Sequence, residues 1–217
     1  MLQSTFGADL DGISTFECDI TSETSVKETF NKISAEATAF PSILVNAAGY
    51  VSVQPLEDTT AEEALNNFLP NLLGPFNVSN AFFRLYQSHR TKPNADGTIA
   101  PGRIVSISSQ ASHVALDGHG AYCASKAGLN GLTRCMANEW GRKGITANTV
   151  SPTVALTVLG KKAWADDAKR EAHLAQIPTG RFAQPEEIAE AIEFLCRDGS
   201  GMINGSDVRV DGGYTIR

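Results

Sequence analysis

Tyr122 and Lys126 stand four residues apart at the start of a stretch with helical character, which puts both side chains on one face. An ammonium beside a phenolic hydroxyl favours the phenolate and lowers a pKa that is ordinarily about 10. A tyrosine tuned in this way can give a proton to a carbonyl oxygen, or take one from an alcohol, near neutral pH. Ser109 lies thirteen residues before Tyr122, at the end of an apolar run. Its hydroxyl can hold the same oxygen. The three side chains make up the polar equipment of a hydride transfer, the hard step being left to a cofactor. A Tyr-x-x-x-Lys pair alone is more often a packed ring beside a solvated charge, so the surrounding elements decide the reading.

Those elements alternate short apolar runs with helical patterns, which argues for α/β units on a parallel sheet. Ile13 to Asp19 reads as a strand, followed by a helix capped at Thr21 or Ser22 that carries Val26, Phe30 and Ile33 on one side. Ile43 to Val45 is a second strand and breaks into Asn46-Ala47-Ala48-Gly49. A helical region runs from about Ala61 to Tyr86, and Pro70 and Gly74-Pro75 predict a kink or a cut in it. The polar stretch 87–102 predicts an exposed loop. Strands follow at Arg103–Ser108, Ile145–Val150 and Ser206–Val210, with helices at Tyr122–Trp140, roughly 160–176 and roughly 185–197. Pro185, Glu186 and Glu187 suit the first turn of the last helix. There is no internal repeat and no linker, so residues 1–217 read as one domain.

Composition narrows the function classes. Hydrophobic residues are 42% and charged residues 19% of the 217, ordinary for a globular chain. A net charge of −6 without any long basic run argues against nucleic-acid or anionic-membrane partners. Cys18, Cys123, Cys135 and Cys196 form no C-x-x-C pair and no zinc-spaced cluster, so no metal is expected and the thiols read as reduced and mostly buried. Residues 1–12 lack the pattern of a signal peptide, and no apolar run reaches membrane-spanning length. The expectation is a soluble, cytoplasmic protein.

The order of short motifs resembles the short-chain dehydrogenase/reductase family. Asn46-Ala47-Ala48-Gly49 follows a strand, Asn71 lies in the next helix, Ser108-Ser109 closes a strand and Tyr122-x-x-x-Lys126 opens a helix. Asn148-Thr-Val-Ser-Pro152 follows the next strand, and Asp211-Gly212-Gly213 stands near the end. The resemblance covers the chain from about Phe16 onward. It implies a Rossmann-like, doubly wound and mostly parallel sheet, and an NAD(P)(H)-dependent oxidoreductase that interconverts a carbonyl and an alcohol. It makes Tyr122 the general acid/base and Ser109 the residue that orients the substrate oxygen. Lys126 lowers the tyrosine pKa and binds the nicotinamide ribose. Asn71 holds a water of the proton relay, although a helix-interrupting polar residue after Pro70 is the alternative description. Asp19 either contacts the adenine or caps a helix. Asn46, Ala47 and Gly49 line the cofactor with backbone, and Pro152 and Thr157 flank the nicotinamide. Thr153 stands where the family usually has glycine.

Ser108-Ser109-Gln110, His119, Ser151 to Thr157 and Lys162-Ala-Trp164 are similar to the carbonyl and sugar reductases of that family. In them Gln110, Leu116, His119 and Trp164 line the substrate pocket, NADP(H) is favoured over NAD(H), and homodimers or homotetramers are common. For Trp164, core packing is an equal reading. The sequence departs from the family at its beginning. The Gly-rich turn that binds the pyrophosphate is missing, together with the first βαβ unit; Gly199-Ser-Gly201 sits in the wrong setting. That loss predicts a gap in the sheet and a longer parent protein, so the domain reads as N-terminally truncated. It leaves open a second class of function, a non-redox scaffold or binding protein.

Overall fold

The computed structural model describes residues 13–36, 40–90 and 98–216. The segments 1–12 and 91–97, on which the leader-peptide reading and part of the predicted loop fall, lie outside the described residues. Four strands form one parallel sheet in chain order: β1 (Ile43–Asn46), β2 (Gly102–Ile107), β3 (Ile145–Pro152) and β4 (Asp207–Val210). The register aligns Leu44 with Ile104, Ile104 with Ala147 and Val150 with Val208. The helix α1 (Glu23–Glu36) precedes the sheet. Parallel neighbours need long crossovers, and here those crossovers carry the helices α2 (Ala61–Phe68), α3 (Gly74–His89), α4 (Gly120–Trp140), α5 (Val158–Ala163), α6 (Asp167–Leu174) and α7 (Pro185–Cys196).

Alternation along the strands divides the core in two. On one face Ile104, Ile145 and Ala147 meet Phe82 and Tyr86 of α3 and Met136 and Trp140 of α4. On the other face Val105 and Val150 meet Ile188 and Leu195 of α7. Gln184 and Glu187 cap α7 reciprocally, with Pro185 in its first turn. The second face stops short of β1, where Ile43 is 47% and Val45 40% exposed. Among the described residues β1 has a neighbour on one side only.

The segment Ile13 to Asp19 is a correction to the sequence reading. It is extended and mostly exposed, and it belongs to no sheet. Strand-like residues make a strand only when another backbone accepts and donates their hydrogen bonds, and this segment has no such partner among the described residues. Ser22 and the following α1 do form as read, with the Ser22 hydroxyl accepting from the Ser25 N–H at 3.3 Å. The region 160–176 is also corrected, to two helices. Asp166 breaks it and caps α6, its side chain accepting the Lys169 N–H at 2.8 Å. The cysteines are less buried than expected: Cys135 is exposed and the other three are half-buried, all as free thiols.

Between α2 and α3 the predicted interruption takes a definite form. Leu69–Leu73 is one π-helical turn, closed by the Gly74 N–H donating to the Leu69 carbonyl five residues back. Pro70 has no N–H to give to an α-helical ladder, so a wider turn at this place loses little. The turn places Asn71, fully buried, on the side facing α4.

Candidate active site

The carboxyl ends of β1 and β2 and the first turns of α4 converge on one place. β2 ends at Ile107, and the chain turns so that Ser109 caps a short 3₁₀ turn, its hydroxyl accepting the Ala111 N–H at 3.1 Å. That hydroxyl lies near enough to the Tyr122 phenol to pull its pKa down. Tyr122 and Lys126 lie one turn apart on α4, with the Lys126 ammonium 5.8 Å from the centre of the Tyr122 ring. Lys126 is 4% exposed and donates to the Ile107 carbonyl at 2.9 Å. The predicted trio is therefore assembled.

The turn after β1 closes against this trio. Asn46 anchors it, donating through Nδ2 to the hydroxyls of Ser106 at 3.0 Å and Ser79 at 3.2 Å. Ala47 lies in the turn. At Gly49 a Cβ would sit 3.1 Å from Asn71 Oδ1 and 3.5 Å from Lys126 Nζ, so glycine permits the close approach. Asn71 pins the next residue: its Oδ1 accepts the Tyr50 N–H at 2.8 Å and its Nδ2 donates to the Tyr50 carbonyl at 2.8 Å. The second Nδ2 proton goes to Ser125 Oγ at 3.0 Å. Ser125 in turn donates to the Tyr122 carbonyl at 2.7 Å. Thus Asn71 ties the β1 turn to the helix that carries the tyrosine and lysine. Sequence reasoning missed Ser125 and Tyr50 as its partners. The one available signal was Ser125 lying within the Tyr122-to-Lys126 turn.

Burial governs the electrostatics. It pushes the Tyr122 phenol above its usual range, against the pull of the Ser109 hydroxyl. It also lowers the Lys126 ammonium to about 8. The phenol is thus raised by desolvation more than its surroundings lower it. The ammonium stays charged at neutral pH, with two of its three protons not given to the Ile107 carbonyl.

The remaining predicted residues separate into groups. His119 caps α4, its ring centre 6.3 Å from that of Tyr122, with Nδ1 2.7 Å from the Asp117 carbonyl. Gln110 is 4% exposed, and its Oε1 has no hydrogen-bond partner. Leu116 lines an open groove with Val53, Pro55 and Leu56. Trp164 packs on His173 and Phe182, ring centres 4.6 and 5.4 Å away, so packing accounts for its position. Pro152 ends β3 opposite Val210. Thr157 caps α5 by accepting the Gly160 N–H at 3.0 Å. Asp19 uses Oδ1 to accept from Thr21 N and Oγ1 at 2.9 and 2.7 Å. Its observed contacts are those of a turn-forming acid ahead of α1.

A fold with this site has many relatives. The model of a family described as enoyl-(acyl carrier protein) reductase matches residues 2–215. A D-threitol dehydrogenase of Mycolicibacterium smegmatis is 42% identical over 216 residues, covering 100% of this chain and 78% of the relative. The L-xylulose reductase of Bos taurus is 41% identical over 175 residues, covering 79% of this chain and 67% of its own length. In structure the chain is similar to a gluconate 5-dehydrogenase from Burkholderia cenocepacia J2315 in complex with NADP and tartrate. That likeness has a TM-score of 0.82 at 30% identity and covers 92% of this chain and 74% of the other. The motif order, the parallel sheet, the family match and these relatives agree, and the chain belongs to the short-chain dehydrogenase/reductase family, an oxidoreductase family.

Proposed function

We propose that the chain carries the catalytic part of an NADP(H)-dependent oxidoreductase that interconverts a small polyol and the corresponding ketose. The observation that carries this reading is the placement of the Ser109 hydroxyl near the Tyr122 phenol, with the Lys126 ammonium 5.8 Å from the centre of the same ring. In reduction the Tyr122 hydroxyl gives its proton to the carbonyl oxygen, and the Ser109 hydroxyl holds that oxygen in line; oxidation reverses the transfer. The protonated Lys126 favours the phenolate left behind. The relay continues toward Asn71. Its side-chain N–H groups are committed to Tyr50 and Ser125, but Oδ1 keeps one lone pair for a water.

A nicotinamide cofactor fits one half of the site. The close approach at Gly49 and the spare Lys126 protons suit the nicotinamide ribose, with Pro152 and Thr157 on the segment beyond β3. When bound, the cofactor supplies or accepts the hydride. Asp19 is the candidate for the adenine end. No Gly-rich turn is present to hold the pyrophosphate. The preference for NADP(H) rests on the motif resemblance and on the NADP in the gluconate 5-dehydrogenase complex. Polyol substrates rest on the names of the relatives, and a homodimer or homotetramer rests on family likeness alone. No helix of the described residues is long and apolar enough to cross a membrane, and a cytoplasmic location is part of the proposal.

The test uses the chain completed with a strand–turn–helix–strand unit that carries a Gly-rich turn. This form should oxidise D-threitol with NADP⁺. Tyr122→Phe should lower kcat by roughly 10²–10⁴-fold while leaving NADPH affinity within about twofold, because the ring still packs and only the transferable proton is lost. A Tyr122→Phe protein that keeps more than about a tenth of the rate would contradict the general acid/base role.

A further inference from the structure

α6 contributes a histidine to the aromatic cluster beside the site. The His173 ring stacks on Tyr214 at 4.9 Å and 23° and touches Trp164 at 4.6 Å and Phe182 at 5.9 Å. Its Nε2 is enclosed among side chains and has no hydrogen-bond partner. An unpaired buried nitrogen of this kind costs roughly 1–3 kcal/mol unless a partner arrives. Burial disfavours protonation of His173, and the charges of His119 and Lys169 add to it. His119 in turn meets the Tyr122 ring edge-on, centres 6.3 Å apart. The series Tyr122, His119, His173 therefore leads from the reacting oxygen to an unsatisfied nitrogen inside an aromatic wall.

We infer that His173 is a specificity-determining residue: its Nε2 binds a hydroxyl of the substrate remote from the carbon that is oxidised or reduced. The inference rests on the polyol reading above and adds the residue that distinguishes a polyol from a simple alcohol. The chemistry of the partner follows from the surroundings. With protonation disfavoured, the imidazole is neutral, and either tautomer presents one donor and one acceptor nitrogen. A hydroxyl both donates and accepts, so it satisfies Nε2 in either tautomer. A carboxylate satisfies only the N–H tautomer, and an ammonium only the other. A site built to hydrogen-bond a hydroxyl rejects the analogue lacking it, because the buried group is then left unpaired.

The experiment is nitrogen-detected imidazole NMR on the 217-residue chain, titrated with D-threitol and with butane-2,3-diol, which lacks the terminal hydroxyls. D-threitol is expected to move the His173 Nε2 resonance, and butane-2,3-diol to leave it in place. His173→Phe keeps a ring against Tyr214, Trp164 and Phe182 and should weaken D-threitol binding by about tenfold, with butane-2,3-diol unaffected. His173→Gln, which restores a hydrogen-bonding group, should recover part of that loss. The inference is overturned if D-threitol moves the ring resonances of His119, which faces Tyr122, but not those of His173. Equal losses for both compounds in His173→Phe, or a Gln variant no better than Phe, would also overturn it, since either outcome marks a packing role. If neither compound moves His119 or His173, the polyol reading itself fails, and the role of His173 falls with it.

Discussion

Lys126→Met should make the protein more stable at neutral pH, and by an amount that depends on pH. In the folded state burial holds the ammonium at about 8 against an ordinary 10.5. At about 1.4 kcal/mol per factor of ten, this gap is a cost of about 3 kcal/mol for keeping the charge buried. The residue is 4% exposed, so solvent screening relieves little of it. Methionine has a similar length and no charge, but it abandons the hydrogen bond to the Ile107 carbonyl, a loss of about 1 kcal/mol. The net gain is about 2 kcal/mol at pH 7. The sign of the pH dependence follows from the lowered value. Between about 8 and 10.5 the unfolded chain binds the proton and the folded chain has released it, so the parent protein grows more stable as pH rises through that window. The advantage of Lys126→Met should therefore vanish by about pH 10. Urea unfolding of both proteins at pH 7 and pH 10 measures the difference directly. A Lys126→Met protein less stable than the parent at pH 7, or an advantage that does not change with pH, would refute the claim that the buried charge strains the fold.

Two further outcomes follow from the same contacts and from the missing turn. Asn71→Ala strips partners from Tyr50 and from the fully buried Ser125; it should cost about 2–4 kcal/mol in urea unfolding, and a loss under about 1 kcal/mol would contradict the tie between the β1 turn and α4. The 217-residue chain should bind NADPH and NADH weakly or undetectably by calorimetry, because the sequence carries no Gly-rich turn to bring backbone N–H groups to the pyrophosphate; micromolar affinity would mean that another part of the chain, or a second copy, provides that site.

The convergence of Ser109, Tyr122 and Lys126 could be read in advance, since helix periodicity puts the last two on one face and the end of an apolar run presents the first. Ile13 to Asp19 shows where local pattern fails: a strand is a relation between two backbones, and no pattern within one segment reveals whether a partner exists. The split of α5 from α6 is encoded locally by Asp166, a good cap set within otherwise continuous helical composition. Asn71 was marked for its type, yet its bonds to Tyr50 and Ser125, 21 and 54 residues away, depend on a tertiary arrangement that spacing does not encode. The cluster of Trp164, His173, Phe182 and Tyr214 was hidden for the same reason.

The π turn at Leu69–Leu73 sets the rotational phase of everything after it. An α-helix turns about 100° per residue, so the extra residue held in that turn fixes which side of α3 faces the sheet. Phe82 and Tyr86, 2% and 1% exposed, reach the core only in that phase. Deleting one residue between 69 and 73 would give a more regular helix by local criteria and turn both rings away from the core. The same deletion would carry Asn71 off its partners in the β1 turn and α4. Local helical quality and the global fold oppose each other at this point, so a sequence optimised for helix propensity through Pro70 would lose the core and the site together.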